Sequence, residues 1–192
     1  MAVKANHDIS SGLDTAFINS AINSNLAYRP EFVSNDYTQG EKVSVAIERE
    51  LRHCDAFYIS MAFITEGGLA PLKQVLAELR DKGIPGKILT TSYLTFTEPK
   101  ALKTLADLSN VEVRVYDSTD EGAAGFHTKG YVFKEEEIYR FIVGSSNMTS
   151  SAFSVNKEWN TKLVSTSDGE LLKQMMTEFD ALWNSEHTYA VE

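Results

Sequence analysis

Three apolar runs separated by amphipathic helices constrain this chain more than any other feature of its sequence. Asp55 to Phe63 and Gly86 to Thr91 are near-continuous apolar segments, the pattern of strands buried on both faces, and Val111 to Tyr116 alternates as a half-buried strand does. Ahead of the first run, Glu41 to Arg52 spaces Val43, Ile47 and Leu51 four apart and carries its charges on the other face. Between the first two, Gly68 to Arg80 turns Leu69, Leu72, Val75, Leu76 and Leu79 inward, and Asp81-Lys82-Gly83 stops it. Between the last two, Thr97 reads as a helix cap with Pro99 in the first turn, and Leu102, Leu105 and Leu108 face inward as far as Asn110. This β-α-β-α-β order predicts parallel strands with helices on both faces of the sheet.

The second half changes rhythm. His127 to Phe133 and Ile138 to Val143 read as strands joined through Lys134-Glu135-Glu136-Glu137, short enough for an antiparallel hairpin. A helical turn over Thr149 to Phe153, a strand from Glu158 to Ser165 and an amphipathic helix from Asp168 to Trp183 complete the set. The expected fold is therefore α/β, an α-β-α sandwich around one mixed parallel and antiparallel sheet. Residues 1–40 read as an N-terminal helix, with Leu13, Ala16, Phe17, Ala21 and Ile22 on one face, followed by an extended arm from Tyr28-Arg29-Pro30. Residues 41–192 contain no linker and read as a single domain.

Composition narrows the function. The formal net charge of −9 opposes general attraction to a polyanion, because non-specific affinity for DNA comes largely from Lys and Arg neutralising phosphates. Any action on nucleic acid must rest on a local cationic patch, a partner copy or a further segment. The single cysteine, Cys54, cannot form an internal disulfide, and no apolar stretch is long enough for a bilayer, so a reducing, cytoplasmic setting without membrane contact is expected. His53-Cys54-Asp55 is the one hint of a metal site, and with no second cluster no metal or cofactor is expected.

The chemistry gathers in the second half. Strand alternation puts His127 and Lys129 on one face, about 7 Å apart, with Thr128 pointing away. Gly130 beside them would permit close approach by a substrate, and Phe126 would pack under the imidazole. The turn Gly144-Ser145-Ser146 offers N–H groups and hydroxyls to an anion, and Asn147 offers its amide to the same place. Glu158 is placed to accept a hydrogen bond from one imidazole nitrogen and so fix the tautomer of the other. Tyr93, Phe96 and Tyr131 are candidates for stacking on bases. Each residue taken singly is more often structural, and it is the order His-x-Lys, Gly-Ser-x-Asn, then an acid eleven residues after the Asn, that carries information.

That compound pattern, His127-x-Lys129, Gly144-Ser145-Ser146-Asn147 and Glu158, resembles the signature of the phospholipase D superfamily, and in particular its bacterial nuclease and restriction-endonuclease branch. Ala62-Phe63-Ile64-Thr65 and Asn156-Lys157-Glu158-Trp159-Asn160 are similar to phospholipase D-like domains at the N-terminus of large helicase-containing proteins. One departure stands out: where the longer family motif has an Asp, this chain has Lys134, which weakens assignment to the lipid-handling branches.

The resemblance implies a metal-independent phosphodiesterase. His127 would attack phosphorus to form a phosphohistidine, and Lys129, Asn147 and Ser145 would bind the non-bridging oxygens. A second His must protonate the leaving oxygen. Since His7, His53 and His187 all lack a Lys two residues on, the second motif is expected from another copy, in a homodimer with one shared site. The expected function is cleavage of nucleic acid, with DNA the leading substrate, in restriction or defence. The polar end of the chain, Trp183 to Glu192, suggests a domain of a longer polypeptide that continues into a helicase region. Two alternatives stay open: hydrolysis of phospholipid or another phosphodiester, and a non-catalytic module that binds phosphate or mediates dimerisation.

Overall fold

The computed structural model describes residues 2–36, 38–93 and 96–191; the side chains of Ala2 and Ala16, the latter part of the predicted N-terminal apolar face, lie outside the described set. The chain runs α1 (Ala2–Ile18), β1 (Glu31–Val33), α2 (Val43–Leu51), β2 (Ala56–Met61), α3 (Glu66–Leu69), α4 (Lys73–Asp81), β3 (Gly86–Thr91) and α5 (Pro99–Ala106). It continues through β4 (Val111–Tyr116), β5 (Lys129–Glu135), β6 (Ile138–Gly144), α6 (Ser150–Ser154), β7 (Asn160–Thr166), α7 (Glu170–Trp183) and β8 (Thr188–Ala190).

The strands form one eight-stranded sheet in the order β1-β7-β6-β5-β2-β3-β4-β8. The pairs β2–β3 and β3–β4 are parallel, as the helical crossovers between them require, and every other pair is antiparallel. The mixed α/β sheet expected from the sequence is thus the fold observed. Its two helical layers are unequal. The main core joins Val43, Ile47 and Leu51 of α2, Val75, Leu76 and Leu79 of α4, and Leu105 of α5 to Phe57, Ile59, Tyr131 and Phe133 of the sheet. On the opposite face, α7 supplies Leu172, Phe179 and Trp183 against Val132, Phe141 and Leu89. Both crossover helices therefore pack on the same face.

Local differences from the sequence reading have identifiable causes. The helix predicted over Gly68 to Arg80 is broken into α3, a 3₁₀ turn at Ala70–Leu72 and α4, because Pro71 cannot continue the hydrogen-bond ladder. Thr97 does not cap α5: Glu98 takes that position, and the buried Thr97 hydroxyl donates instead to the Ala62 carbonyl, 3.2 Å away. The N-terminal helix starts well before Leu13 and ends at Ile18, where the Asn19 side chain accepts from Ala21 N–H at 2.9 Å and turns the chain. The arm that follows ends in β1, which pairs with β7 at one edge of the sheet. Buried Asn35 ties it down, donating to the carbonyls of Ala152 and Asn156 at 2.9 and 2.7 Å and accepting from Val43 N–H at 3.0 Å. Among the described residues no helix is long and apolar enough to cross a membrane.

Candidate active site

The exit of β2 braces the site from two sides. Ala62 N–H donates to the carbonyl of Thr128 at 2.9 Å, which holds the segment carrying His127 against β2. On its other side, Met148 N–H donates to the Phe63 carbonyl and Thr65 N–H to the Met148 carbonyl, each at 3.0 Å, which holds the turn carrying Asn147. Gly68 makes the second clasp possible: a Cβ there would lie 1.9 Å from the Met148 carbonyl oxygen. Two segments distant in sequence are thereby fixed to one short stretch of backbone.

His127 sits just before β5, and Lys129 is its first residue. The Lys129 ammonium lies 3.0 and 3.3 Å from the two ring nitrogens of His127 and donates to the His127 carbonyl at 3.0 Å. An ammonium can donate only to a ring nitrogen with a free lone pair. Desolvation holds the Lys129 pKa below the ordinary lysine value, opposed by the charge of Glu158 nearby. No carboxylate lies within ion-pair distance of it among the described residues.

Phe63 packs against this pair. Its ring meets the His127 imidazole edge-on at 5.6 Å, and the Lys129 ammonium lies 5.9 Å from its centroid. This is the place expected for Phe126, which instead points to the other face and stacks on Tyr116 at 5.6 Å. Gly130 likewise belongs to the other face, because alternation along β5 separates it from His127 and Lys129. It borders a cleft of about 590 Å³ between the sheet and α7, lined by Val132, Val143, Leu171, Met175 and Phe179 and reached by Lys129.

The Gly144-Ser145-Ser146 turn is built differently from expectation. Its N–H groups do not face an anion: Ser145 N–H donates to the Trp159 carbonyl at 3.0 Å and Ser146 N–H to Asn160 Oδ1 at 3.3 Å. Gly144 allows this closure, since a Cβ there would lie 2.2 Å from the Trp159 oxygen. The Ser145 hydroxyl donates to Glu158 Oε2 and accepts from Trp159 N–H at 3.1 Å. Its proton is therefore committed to Glu158. Glu158 is buried, and its hydrogen bonds run to Ser145 and to the Asn156 amide at 3.4 Å rather than to the imidazole. Its link to the pair is the field it exerts on Lys129. Asn147 Oδ1 is buried with no hydrogen-bond partner, a state that costs about 1–3 kcal/mol and that binding sites often retain.

Other candidates separate from the site. Tyr131 is buried and stacked on Phe133, which removes it from any base, whereas Tyr93 and Phe96 are exposed and Phe96 packs edge-on against Phe63 at 4.9 Å. Cys54 is buried, and desolvation pushes its thiol up to about 12, so it is no nucleophile. His53 turns its Nδ1 to the Arg49 carbonyl at 2.8 Å, away from Cys54. His187 lies 3.4 Å from Asp120, and His7 is 3.9 Å from Asp8 on α1. Lys134 is at the far end of β5, paired with Ala56 and Tyr139, remote from His127 and Lys129. Phe63 and Asn160 were not singled out by chemistry in the sequence, although both fall in stretches that carried the family resemblance.

A mixed sheet that presents a His-x-Lys strand start beside a Gly-Ser-x-Asn turn defines a phospholipase D-like site. Residues 49–183 match the family model described as cardiolipin synthase, PLD-like domain, and the chain belongs to this phospholipase D-like family. No curated protein sequence matches it. Among solved structures it is similar to Nuc, a phospholipase D family member from Salmonella typhimurium, with TM-score 0.61 and 15% identity over 85% of this chain and 99% of that one. It is similar to NucT from Helicobacter pylori with TM-score 0.65 and 15% identity over the same shares, 85% and 99%. Phosphatidylserine synthase from Haemophilus influenzae Rd KW20 gives TM-score 0.63 and 15% identity over 93% of this chain and 44% of that one. At these identities the likeness concerns the fold.

Proposed function

We propose that this phospholipase D-like phosphodiesterase cleaves DNA through a phosphohistidine on His127, without a divalent metal. The observation that carries this reading is the Lys129 ammonium resting on the His127 ring with no carboxylate in ion-pair distance among the described residues. A nucleophile with a lone pair and a fixed positive charge are what attack on a phosphodiester requires. In the first step the imidazole nitrogen bonds to phosphorus and the leaving oxygen takes a proton from a second His. In the next, that His accepts a proton from water as the water oxygen displaces the imidazole. Lys129 and the Asn147 amide stabilise the charge on the non-bridging oxygens. Ser145 contributes by holding Glu158, because its own proton is already donated.

The second His comes from another copy of the chain on this reading: His7, His53 and His187 each lack a Lys two residues on, which supports a homodimer sharing one site. Residues 41–192 form the catalytic domain on this reading. The wider setting we propose is a cytoplasmic restriction or defence protein in which this domain precedes a helicase region, in keeping with the Ala62–Thr65 and Asn156–Asn160 stretches.

A second reading, hydrolysis of a lipid phosphodiester, draws on the apolar cleft beside α7 that reaches Lys129. Incubating the protein in EDTA with plasmid DNA and with phospholipid vesicles separates the two. Cleavage of DNA that disappears in His127→Ala supports the first reading, and cleavage of lipid alone supports the second. Persistent cleavage by His127→Ala, or full activity in a stable monomer, would overturn the assigned site or the shared dimer respectively.

A further inference from the structure

Trp159 directly follows Glu158, and its backbone is locked to the phosphate-side turn by both of its hydrogen bonds with Ser145. Its indole is 75% exposed, although neighbouring Glu158 and Asn160 are buried. Beside it, Phe32 on the edge strand β1 is 64% exposed and meets the indole edge-on at 6.0 Å. Large aromatic rings held on a rigid backbone at the rim of a site, with no packing role in the core, are the usual form of a stacking surface.

The charges nearby decide what can stack there. The cations of β6, β7 and α2 are matched by carboxylates: Lys162 by Glu50 and Glu31, Arg140 by Glu135 and Glu50, and Arg49 by Glu31 and Glu50. With the chain at −9 overall, release of counterions from a nucleic-acid backbone is a weak source of affinity. Base stacking is a source that needs no charge. In a duplex the base faces are already covered by one another, and only a single strand presents them to a protein ring.

We propose that Trp159, supported by Phe32 on the α7 face of the sheet, is a stacking platform for a base of the strand that flanks the scissile phosphate, and that the substrate is a single-stranded polynucleotide. This rests on the nuclease reading above. The single-strand preference follows because the platform engages base faces that a duplex keeps covered. The exposed ring of Phe96, packed on Phe63 beside His127, offers a second aromatic surface at the catalytic pair.

The test uses the full chain with His127→Ala to prevent turnover. Trp183 is only 3% exposed, so tryptophan quenching by added strand reports mainly on Trp159. A single-stranded oligothymidylate, its duplex and an abasic strand of the same length are titrated at several salt concentrations. Saturable quenching by the single strand, affinity at least about tenfold weaker for the duplex and the abasic strand, and a shallow salt dependence are expected. Read by the fluorescence anisotropy of an end-labelled strand, which does not depend on the indole, Trp159→Ala should weaken single-strand binding by roughly 5- to 150-fold and abolish the advantage over the abasic strand, and Trp159→Phe should restore most of it. Equal affinity for the abasic strand, or unchanged binding in a folded Trp159→Ala, overturns the platform. So does a Trp159→Ala protein that sediments as a monomer where the parent is a dimer, which would assign the ring to the contact between copies. Cleavage of DNA by the parent with no effect of Trp159→Ala sinks this proposal and leaves the nuclease reading standing. Absence of both binding and cleavage sinks the two together.

Discussion

Lys129 and Lys162 stand on the same face of the same sheet, two strands apart, and have opposite electrostatic settings. Lys162 on β7 is 6% exposed at its side chain and lies 3.0 Å from buried Glu50 on α2 and 2.5 Å from Glu31 on β1. Lys129 on β5 is desolvated as well, yet its ammonium meets an imidazole and a carbonyl in place of a carboxylate. A buried charge with its partners supports a structure, and removal of one partner exposes the full desolvation cost. A desolvated charge left without a counterion is what a site keeps for a negatively charged substrate. The comparison teaches that the fully buried lysine is compensated by carboxylates and the half-buried one is not.

The contrast can be broken at three points. Glu50→Ala removes the buried partner of Lys162 and leaves it only the more exposed Glu31, and should cost about 3 kcal/mol, lowering Tm by roughly 6–12 °C. A thermal melt checks this, and the double replacement Glu50→Met with Lys162→Met should recover much of the loss. Lys129→Met should behave in the reverse sense. Activity falls about a hundredfold, or about 3 kcal/mol in the barrier, while Tm changes by no more than about 3 °C. Rate and melting measurements on one sample test both halves. The smallest effect is expected from Glu158→Gln. Loss of the carboxylate removes the charge that opposes desolvation of Lys129, so the lysine pKa falls further. Activity that needs charged Lys129 is lost as pH rises through that pKa, and the alkaline limb of the pH–rate profile moves to lower pH. A limb that stays in place would show that Glu158 acts only by bracing Ser145.

Much of this molecule was legible because it depends on local order. The alternation from Asp55 to Tyr116 dictates parallel strands with crossovers, and His127, Lys129, Asn147 and Glu158 announce themselves by spacing. What was not legible depends on register between distant strands. Glu158 is paired with Ser145 because Ser145 and Trp159 exchange backbone and hydroxyl contacts at the end of the β6–β7 ladder. Phe63 takes the place expected for Phe126 because Phe126 faces the Tyr116 side of the sheet. Tyr131 lies on the catalytic face, but deeper along β5, where the core closes over it.

The sequence by itself therefore determined the class of fold, through periodicity, and carried the resemblance that named the family and its candidate reactive residues, since periodicity and motif spacing are properties of neighbouring positions. Tertiary structure alone decided which lysine is neutralised, which carboxylate braces which hydroxyl, and which aromatic rings remain at the surface. Those outcomes are set by long-range contacts such as Lys162 to Glu50 and Trp159 to Phe32, where the partners are brought together only when α2 and β1 dock on the sheet.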